Sequence, residues 1–180
     1  MRIDPNTHLI VGVNYIVSPN QDDRPENTNI DLIVIHNISL PPGEFGQGYV
    51  QRFFQNKLDE NAHSFFQEIK DLKVSSHLFI ERSGKLTQFV PFNKRAWHAG
   101  KSNFKGREIC NNFSIGIELE GTDDQEYTEE QYRVLNAVIM SLQMAYPSLY
   151  ENNIVGHCDI APDRKTDPGP AFDWSKLKTS

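Results

Sequence analysis

Two histidines in this chain follow short apolar runs, at points where a buried strand would end. His36 comes directly after the aliphatic run 32–35, and His157 comes after Ile154-Val155-Gly156. A run of consecutive aliphatic residues is typical of a strand that is covered on both faces. If the two strands are neighbours, both imidazoles lie at one edge of the sheet, where α/β proteins often place their chemistry. Taken alone, His36 is better explained as a residue that caps its strand through a backbone hydrogen bond.

The segment 157–170 carries the densest set of polar and restricted residues in the chain. It combines one histidine, three aspartates, two cations and three prolines. No regular helix or strand tolerates this density of proline, so we expect a rigid loop. A polar loop held rigid in this way is a suitable place for a functional site. Taken alone, a surface loop with solvated charges explains the segment equally well.

These features together suggest a metal site. Asp167 lies near the far end of the rigid segment and is followed by Pro168, so its carboxylate could join the two histidines. Two histidines and one carboxylate leave a fourth position for water, which is typical of catalytic rather than structural zinc. The set lacks a compact motif such as H-E-x-x-H, so spacing alone leaves other ligands open. The alternatives are Asp159, Asp163, His98 and Cys158, of which Cys158 is the weakest because it would point away from His157 if the strand continued.

A third predicted strand carries a carboxylate that could take part in the same chemistry. Segment 113–120 alternates strictly, and its polar face presents Ser114, Gly116, Glu118 and Glu120. The glycine leaves that face open beside Glu118, so another group could approach there. Taken alone, Glu118 is better explained as a solvated carboxylate, and Glu120 on the same face is a rival candidate for any catalytic role. Lys165, in the proline-rich segment, is better explained as a surface cation when taken alone.

The remaining patterns predict the elements that must position these residues. Segments 77–82 and 85–90 flank Ser83-Gly84 and predict a hairpin. The capping box 128–131 opens the longest predicted helix, which Pro147 ends. Shorter elements are an N-terminal strand or arm near 9–17, a helix over about 49–58, a helical piece around 65–69 and a final helical turn at 173–177.

Composition restricts the class of protein. Hydrophobic residues make up 38% and charged residues 23% of the 180, which is ordinary for one globular domain, here taken as residues 1–180. The net charge of −6 argues against a nucleic-acid partner. We find no run long enough to cross a bilayer and no signal peptide, so we expect a cytoplasmic protein with Cys110 and Cys158 as free thiols.

Four stretches of the chain resemble the zinc amidases of the AmpD type, which belong with the phage-lysozyme and peptidoglycan-recognition amidases. They are IHNISLPPGEFG at 35–46, RAWHAG at 95–100, SIGIELEG at 114–121 and the whole segment 157–174. The resemblance extends from about residue 9 to about residue 177 and is specific, because the shared motifs are long and uninterrupted. It implies an α/β fold with a central mixed β-sheet flanked by helices.

The resemblance also implies a reaction and a substrate. The family hydrolyses the amide between the lactyl group of 1,6-anhydro-N-acetylmuramic acid and L-alanine during cytoplasmic peptidoglycan recycling, with possible control of β-lactamase induction. It implies Zn²⁺ on His36, His157 and Asp167, and chemistry by Glu118 and Lys165. The expected partner is a small muropeptide, with no nucleic acid, membrane or obligate protein partner. The residues expected to contact this substrate are Asn37, Lys73, Trp97 and His98.

Two positions depart from the family pattern. Lys73 and Ile109 stand where we expect arginines in close relatives. If those arginines hold the peptide carboxylates, Lys73 keeps the charge but loses the planar fork, and Ile109 loses the charge altogether. These departures concern the affinity for the peptide and leave the reaction unaffected.

Two other classes of function are compatible with the same resemblance. A peptidoglycan-binding module typically lacks one zinc ligand, whereas all three predicted ligands are present here. An exported lytic amidase would cut intact wall, and we find no signal peptide or wall-binding repeats. A phage lysin released by holins would also lack a signal peptide, so this second alternative stays open.

Overall fold

The computed structural model describes residues 1–178, and the last two residues of the predicted domain lie outside this part. The described residues form ten strands: β1 (Asn14–Tyr15), β2 (Gln21–Asp23), β3 (Leu32–Ile38), β4 (Leu78–Ile80), β5 (Leu86–Gln88), β6 (Lys94–Ala96), β7 (Asn103–Phe104), β8 (Arg107–Glu108), β9 (Ser114–Glu120) and β10 (Ile154–Gly156). The α-helices are α1 (Tyr49–Phe54), α2 (Ser64–Ile69), α3 (Glu129–Ala145) and α4 (His157–Ile160). Short 3₁₀ turns cover Cys110–Asn112, Glu151–Asn153 and Trp174–Lys176.

A six-stranded mixed sheet forms the centre of the fold, as the sequence predicted. Its strand order is β1-β5-β4-β9-β3-β10. Strands β4, β9, β3 and β10 run parallel to one another, and β5 is antiparallel to β4. The neighbouring strands β9 and β3 are the longest of the sheet, with seven residues each. Because the carboxyl ends of parallel strands meet at one edge, side chains at the ends of β3, β9 and β10 are brought together.

Helices cover both faces of the sheet. On β4, Leu78 and Ile80 join one apolar cluster, and Phe79 between them joins another on the opposite face. The first cluster packs against α3, and the second packs against α1 and α2. None of the helices within residues 1–178 is long and apolar enough to cross a bilayer.

Local signals in the sequence predicted several elements correctly. The hairpin pairs Leu78 with Gln88 in antiparallel register. The capping box is present: the Thr128 side chain accepts from the backbone N–H of Gln131, and the Gln131 side chain accepts from that of Thr128. The chain ends in the expected helical turn, here a 3₁₀ turn at Trp174–Lys176.

Three expectations about the elements were wrong. The helix expected over 49–58 ends at Phe54. The predicted N-terminal strand is reduced to two residues, Asn14–Tyr15. The segment 157–170 is not loop throughout, since His157–Ile160 forms a helical turn. All three prolines follow Ile160, so they leave this turn unhindered. The argument that set Cys158 aside also loses its premise, because the strand does not continue past Gly156.

Candidate active site

The sheet register places the predicted site residues at one edge. His36 on β3 lies directly beside Glu118 on β9. On the other side of β3, Gly156 of β10 pairs with Ile35, so His157 follows at the level of His36. The condition that the sequence left open, that β3 and β10 are neighbours, is therefore met.

Three donor atoms converge at this edge. His36 Nδ1 lies 3.0 Å from His157 Nδ1 and 3.0 Å from Asp167 Oδ2. The distance from His157 Nδ1 to Asp167 Oδ2 is 3.1 Å. Within residues 1–178, this is the group of histidines, cysteines and carboxylates with the spacing of a metal site. The two histidines are buried and Asp167 is partly buried.

The proton positions in this cluster fit a bound cation. His157 Nε2 lies 3.2 Å from the carbonyl oxygen of Ala99, which can only accept, so the ring carries its proton on Nε2. In the neutral ring, Nδ1 then presents a lone pair toward the carboxylate of Asp167. Two lone pairs 3.1 Å apart repel each other unless a cation lies beside them. Two imidazoles and one carboxylate are the donor set that zinc uses in catalytic sites.

The electrostatics of the cluster favour the metal-binding forms of its members. Burial lowers the pKa of His36 to about 4, although the adjacent carboxylate of Asp167 opposes this shift. Burial alone would raise the pKa of Asp167, but the adjacent imidazoles of His157 and His36 outweigh it and hold that pKa below its ordinary value. At neutral pH His36 is therefore neutral and Asp167 is ionised, as metal ligation requires.

The loop that carries Asp167 is tied down by neighbouring groups. Asn37 Nδ2 donates to the carbonyl of Pro168 at 3.2 Å and to Asp123 Oδ1 at 2.7 Å. Tyr127 donates its hydroxyl to the same Pro168 carbonyl at 2.8 Å. These bonds fix the backbone immediately after Asp167. Asn37 thus supports the ligand loop, and its predicted contact with substrate stays a prediction.

Glu118 lies beside the three donors and is nearly buried. Its Oε1 is 4.0 Å from His36 Nδ1. Its Oε2 is buried and has no hydrogen-bond partner among the described residues. Burial raises the pKa of Glu118 well above its ordinary value, the charge of Asp167 raises it further, and the charge of Lys165 lowers it. An ionised Glu118 therefore requires a nearby cation, and a metal ion on the three donors would supply one.

The rival carboxylate, Glu120, has a different role. Its Oε1 accepts from the backbone N–H of Gly46 at 2.6 Å, and its Oε2 accepts from that of Arg82 at 3.0 Å. Both oxygens are therefore engaged by the backbone. Glu120 fastens the glycine-rich loop after β3 to the sheet. It lies on the same face of β9 as Glu118, two residues further along the strand.

The other residues that the sequence left open as ligands are placed elsewhere. Asp159 accepts from the backbone N–H of Gly156 at 2.7 Å. Asp163 is exposed, and Cys158 is half-buried. His98 lies behind His36, with its Nδ1 2.9 Å from His36 Nε2. The structure thus brings together His36, His157 and Asp167 as the convergent set.

A cleft of about 630 Å³ opens in front of these groups. Its polar end contains Glu118, Lys165 and the three donors, and Trp97 lies along it. Lys73 is exposed and lines a separate, smaller depression. Ile109 is 51% exposed and is not among the residues that line the cleft. The apolar wall is formed mainly by Leu40, Pro42, Phe53, Phe54, Phe65, Ile69, Leu72 and Val74.

The sequence suggested that the polar face of β9 is open at Gly116, but the structure shows it covered. All of β9 is buried, and the ring of His98 lies over the glycine. A Cβ added at Gly116 would lie 2.6 Å from Nδ1 and 2.7 Å from Cδ2 of His98. The glycine was a usable signal of close approach, but the sequence could not identify the approaching group.

We expect Gly116→Ala to destabilise the protein, because the added methyl group must displace the His98 ring. Overpacking of this kind typically costs about 1–3 kcal/mol. The melting temperature of the metal-free variant, compared with that of the parent, measures the effect. An unchanged melting temperature would show that His98 does not occupy this position.

Comparison with known proteins gives consistent matches. The family model described as N-acetylmuramoyl-L-alanine amidase matches residues 26–170. The Escherichia coli K12 protein named 1,6-anhydro-N-acetylmuramyl-L-alanine amidase AmpD is 55% identical over 169 residues, covering 94% of this chain and 92% of that protein. A crystal structure of a selenomethionine derivative of AmpD superposes with a TM-score of 0.95 at 51% identity, covering 98% of this chain and 97% of that one.

A more distant solved structure contains a ligand. It is the Escherichia coli amidase AmiD in complex with the substrate anhydro-N-acetylmuramic acid-L-Ala-D-gamma-Glu-L-Lys. The TM-score is 0.61 at 28% identity, covering 86% of this chain and 59% of AmiD. The mixed α/β fold predicted from the sequence is confirmed by these neighbours.

Proposed function

This chain belongs to the N-acetylmuramoyl-L-alanine amidase family, and on that basis we propose that it hydrolyses the amide between 1,6-anhydro-N-acetylmuramic acid and L-alanine in muropeptides. The observation that carries the proposal is the convergence of three metal-donor atoms beside a buried carboxylate oxygen without a partner in the described residues. The likeness to AmpD proteins over nearly the full length favours the anhydro form of the sugar.

We propose that Zn²⁺ is held by His36, His157 and Asp167. The neutral imidazole of His36, the ionised carboxylate of Asp167 and the lone pairs that face each other support this assignment. When bound, zinc would lower the pKa of a coordinated water toward about 7 and polarise the substrate carbonyl. The family is generally zinc-dependent, and the donor set of this chain fits that requirement.

Glu118 is proposed as the general base. Its carboxylate is buried next to the donor cluster, where it can accept a proton from the attacking water and pass it to the departing nitrogen of L-alanine. The environment that raises its pKa also makes the carboxylate a stronger base once it is ionised. Its Oε2 is free of protein partners in the described part of the chain, so it is available for this proton.

Lys165 is proposed to stabilise the negative charge that develops on the carbonyl oxygen. It lines the cleft and lies close enough to Glu118 and His36 for its charge to lower the pKa of both. A fixed cation at the point where charge develops is a common device of acyl-transfer enzymes. The backbone N–H of Lys165 donates to the Ala161 carbonyl at 3.0 Å, which anchors this part of the loop.

The cleft suits a small substrate with both polar and apolar parts. We propose that Trp97 lies along the sugar-peptide chain, while the bond to be cut is held at the polar end. Asn37, Lys73 and His98 stay predicted contacts. We also propose that the protein works in the cytoplasm on imported wall fragments, as the recycling reaction of its AmpD relatives suggests.

Digestion of purified anhydromuropeptides tests the scissile bond. We expect mass spectrometry to show the anhydro sugar and the intact peptide as the two products. Incubation with chelator is the control and should leave the substrate uncut. Cleavage within the peptide would contradict the proposed reaction. Parallel incubation with intact sacculi distinguishes a recycling amidase from a lytic one, and binding without cleavage would indicate a recognition module.

A further inference from the structure

We propose that His98 is a positioning residue for the metal centre. By accepting a hydrogen bond at Nδ1, His98 favours the tautomer of His36 that carries its proton on Nε2. His98 then donates its own Nε2 proton to Ser114. The inference rests on the proposed zinc site. It assigns His98 a role behind the ligands, in addition to the contact with the substrate that the sequence predicted. Each step depends on which ring nitrogen carries a proton.

Both ring nitrogens of His98 are engaged by protein atoms. Its Nδ1 lies 2.9 Å from His36 Nε2, and its Nε2 lies 3.1 Å from Ser114 Oγ. All three side chains are buried, with His98 9% exposed and His36 1% exposed. The side chains form a continuous hydrogen-bonded line from the donor cluster into the interior of the sheet. His98 also lines the cleft, but with both nitrogens engaged its ring could contact a substrate there only through its carbon atoms.

Metal binding fixes which atom donates and which accepts in each hydrogen bond of this line. His36 faces the donor cluster through Nδ1, so a metal requires a lone pair on Nδ1 and, in the neutral ring, a proton on Nε2. That proton must be donated to His98 Nδ1, which therefore has no proton of its own. His98 then carries its proton on Nε2 and donates it to Ser114 Oγ, an oxygen that can accept. One consistent arrangement of protons thus supports ligation by His36.

The backbone next to His98 holds the second ligand histidine. The Oδ1 of Asn111 accepts from the backbone N–H of His98 at 3.1 Å and from that of Ala99 at 2.8 Å. The Ala99 carbonyl in turn accepts from His157 Nε2 at 3.2 Å. The dipeptide 98–99 therefore contacts the outer nitrogen of both ligand histidines, through a side chain for His36 and through a carbonyl for His157.

Packing fixes the ring of His98 in this position. The ring lies over Gly116 with no room for a Cβ between them. The Ala99 carbonyl also accepts from Arg164 Nη2 at 2.8 Å, which ties the dipeptide to the ligand loop. Partners of this kind, one shell beyond the ligands, typically contribute about 10- to 100-fold to metal affinity.

Two substitutions of similar character separate a hydrogen-bonding role from simple packing. The Oδ1 of an asparagine occupies nearly the place of a histidine Nδ1, so His98→Asn can still accept from His36. The amide of a glutamine reaches instead toward the place of Nε2, so His98→Gln keeps a partner for Ser114 and loses the acceptor for His36. Both variants remove the ring and leave a comparable void.

The dissociation constant for Zn²⁺, measured by competition with a chromophoric chelator, is the readout, together with the melting temperature of each metal-free protein. We expect His98→Gln to bind zinc about 10- to 100-fold more weakly than the parent and His98→Asn to stay within a few-fold of it. Both metal-free variants should lose similar thermal stability, since both lack the same ring.

Two results would overturn the inference while leaving the proposed zinc site in place. Equal weakening in both variants would mean that His98 acts through packing alone, and parental affinity in both would mean that it has no part in metal binding. A parent that fails to bind zinc tightly would overturn the proposed metal site and this inference with it.

Discussion

Asp167→Ala is expected to lose tight zinc binding and, with it, measurable amidase activity. The substitution removes one of three protein donors, and it leaves the lone pairs of His36 and His157 without a carboxylate beside them. The loss of affinity should exceed the roughly 10- to 100-fold that the loss of an outer partner typically costs. Zinc content after gel filtration and the zinc dissociation constant measure the effect.

Asp163→Ala is the matched control for this substitution. Asp163 lies in the same proline-rich segment, and its substitution removes the same charge. Its side chain is exposed and does not belong to the convergent donor set. It should bind zinc and turn over substrate as the parent does. If Asp167→Ala retained parental zinc affinity, the third ligand would have to be sought elsewhere, first at Asp159 or Asp163.

The second large effect is expected from Glu118→Gln, which should keep the fold and the zinc but lose about 10²- to 10⁴-fold in kcat. Glutamine has nearly the same shape, so the packing of β9 should survive. It cannot accept the proton of the attacking water at neutral pH. KM should change little, because proton transfer stabilises only the transition state.

Glu120→Gln provides the comparison for Glu118 on the same strand. Both of its oxygens accept backbone N–H groups, and an amide can satisfy only one of them. We therefore expect about 1–3 kcal/mol of lost stability and a much smaller loss of kcat. The free energy of unfolding and kcat should be measured for both variants on one substrate. Near-parental turnover in Glu118→Gln with an inactive Glu120→Gln would mean that the base has been assigned to the wrong residue.

The elements predicted correctly from the sequence depend on local signals. The hairpin follows from alternating strands around Ser83-Gly84, and the start of the long helix follows from the capping box at Thr128. The helical turn at His157–Ile160 was missed because the prolines farther along were taken to govern the whole segment. The first four residues of segment 157–170 contain no proline, and they form a helical turn directly after β10.

The site itself depends on contacts between distant parts of the chain. His36 and His157 are 121 residues apart, and they meet because β10 adds in parallel to β3, which periodicity cannot reveal. Periodicity also cannot show how the loop after β10 folds back on the sheet. Asp159 and Asp163 therefore remained alternative ligands when only the sequence was considered. The motif at 95–100 indicated that His98 was significant, but its role depends on a loop that returns over Gly116.

Reconstitution of the metal-free protein with zinc tests the central claim most directly. The purified chain is stripped with chelator and titrated with Zn²⁺, while release of the anhydro sugar from an anhydromuropeptide is followed. The proposed centre of His36, His157 and Asp167 predicts no turnover without metal and a linear rise in rate that stops at one equivalent of zinc per chain. Full turnover by the metal-free protein, or a rise that continues to several equivalents, would contradict a single zinc centre as the site of hydrolysis.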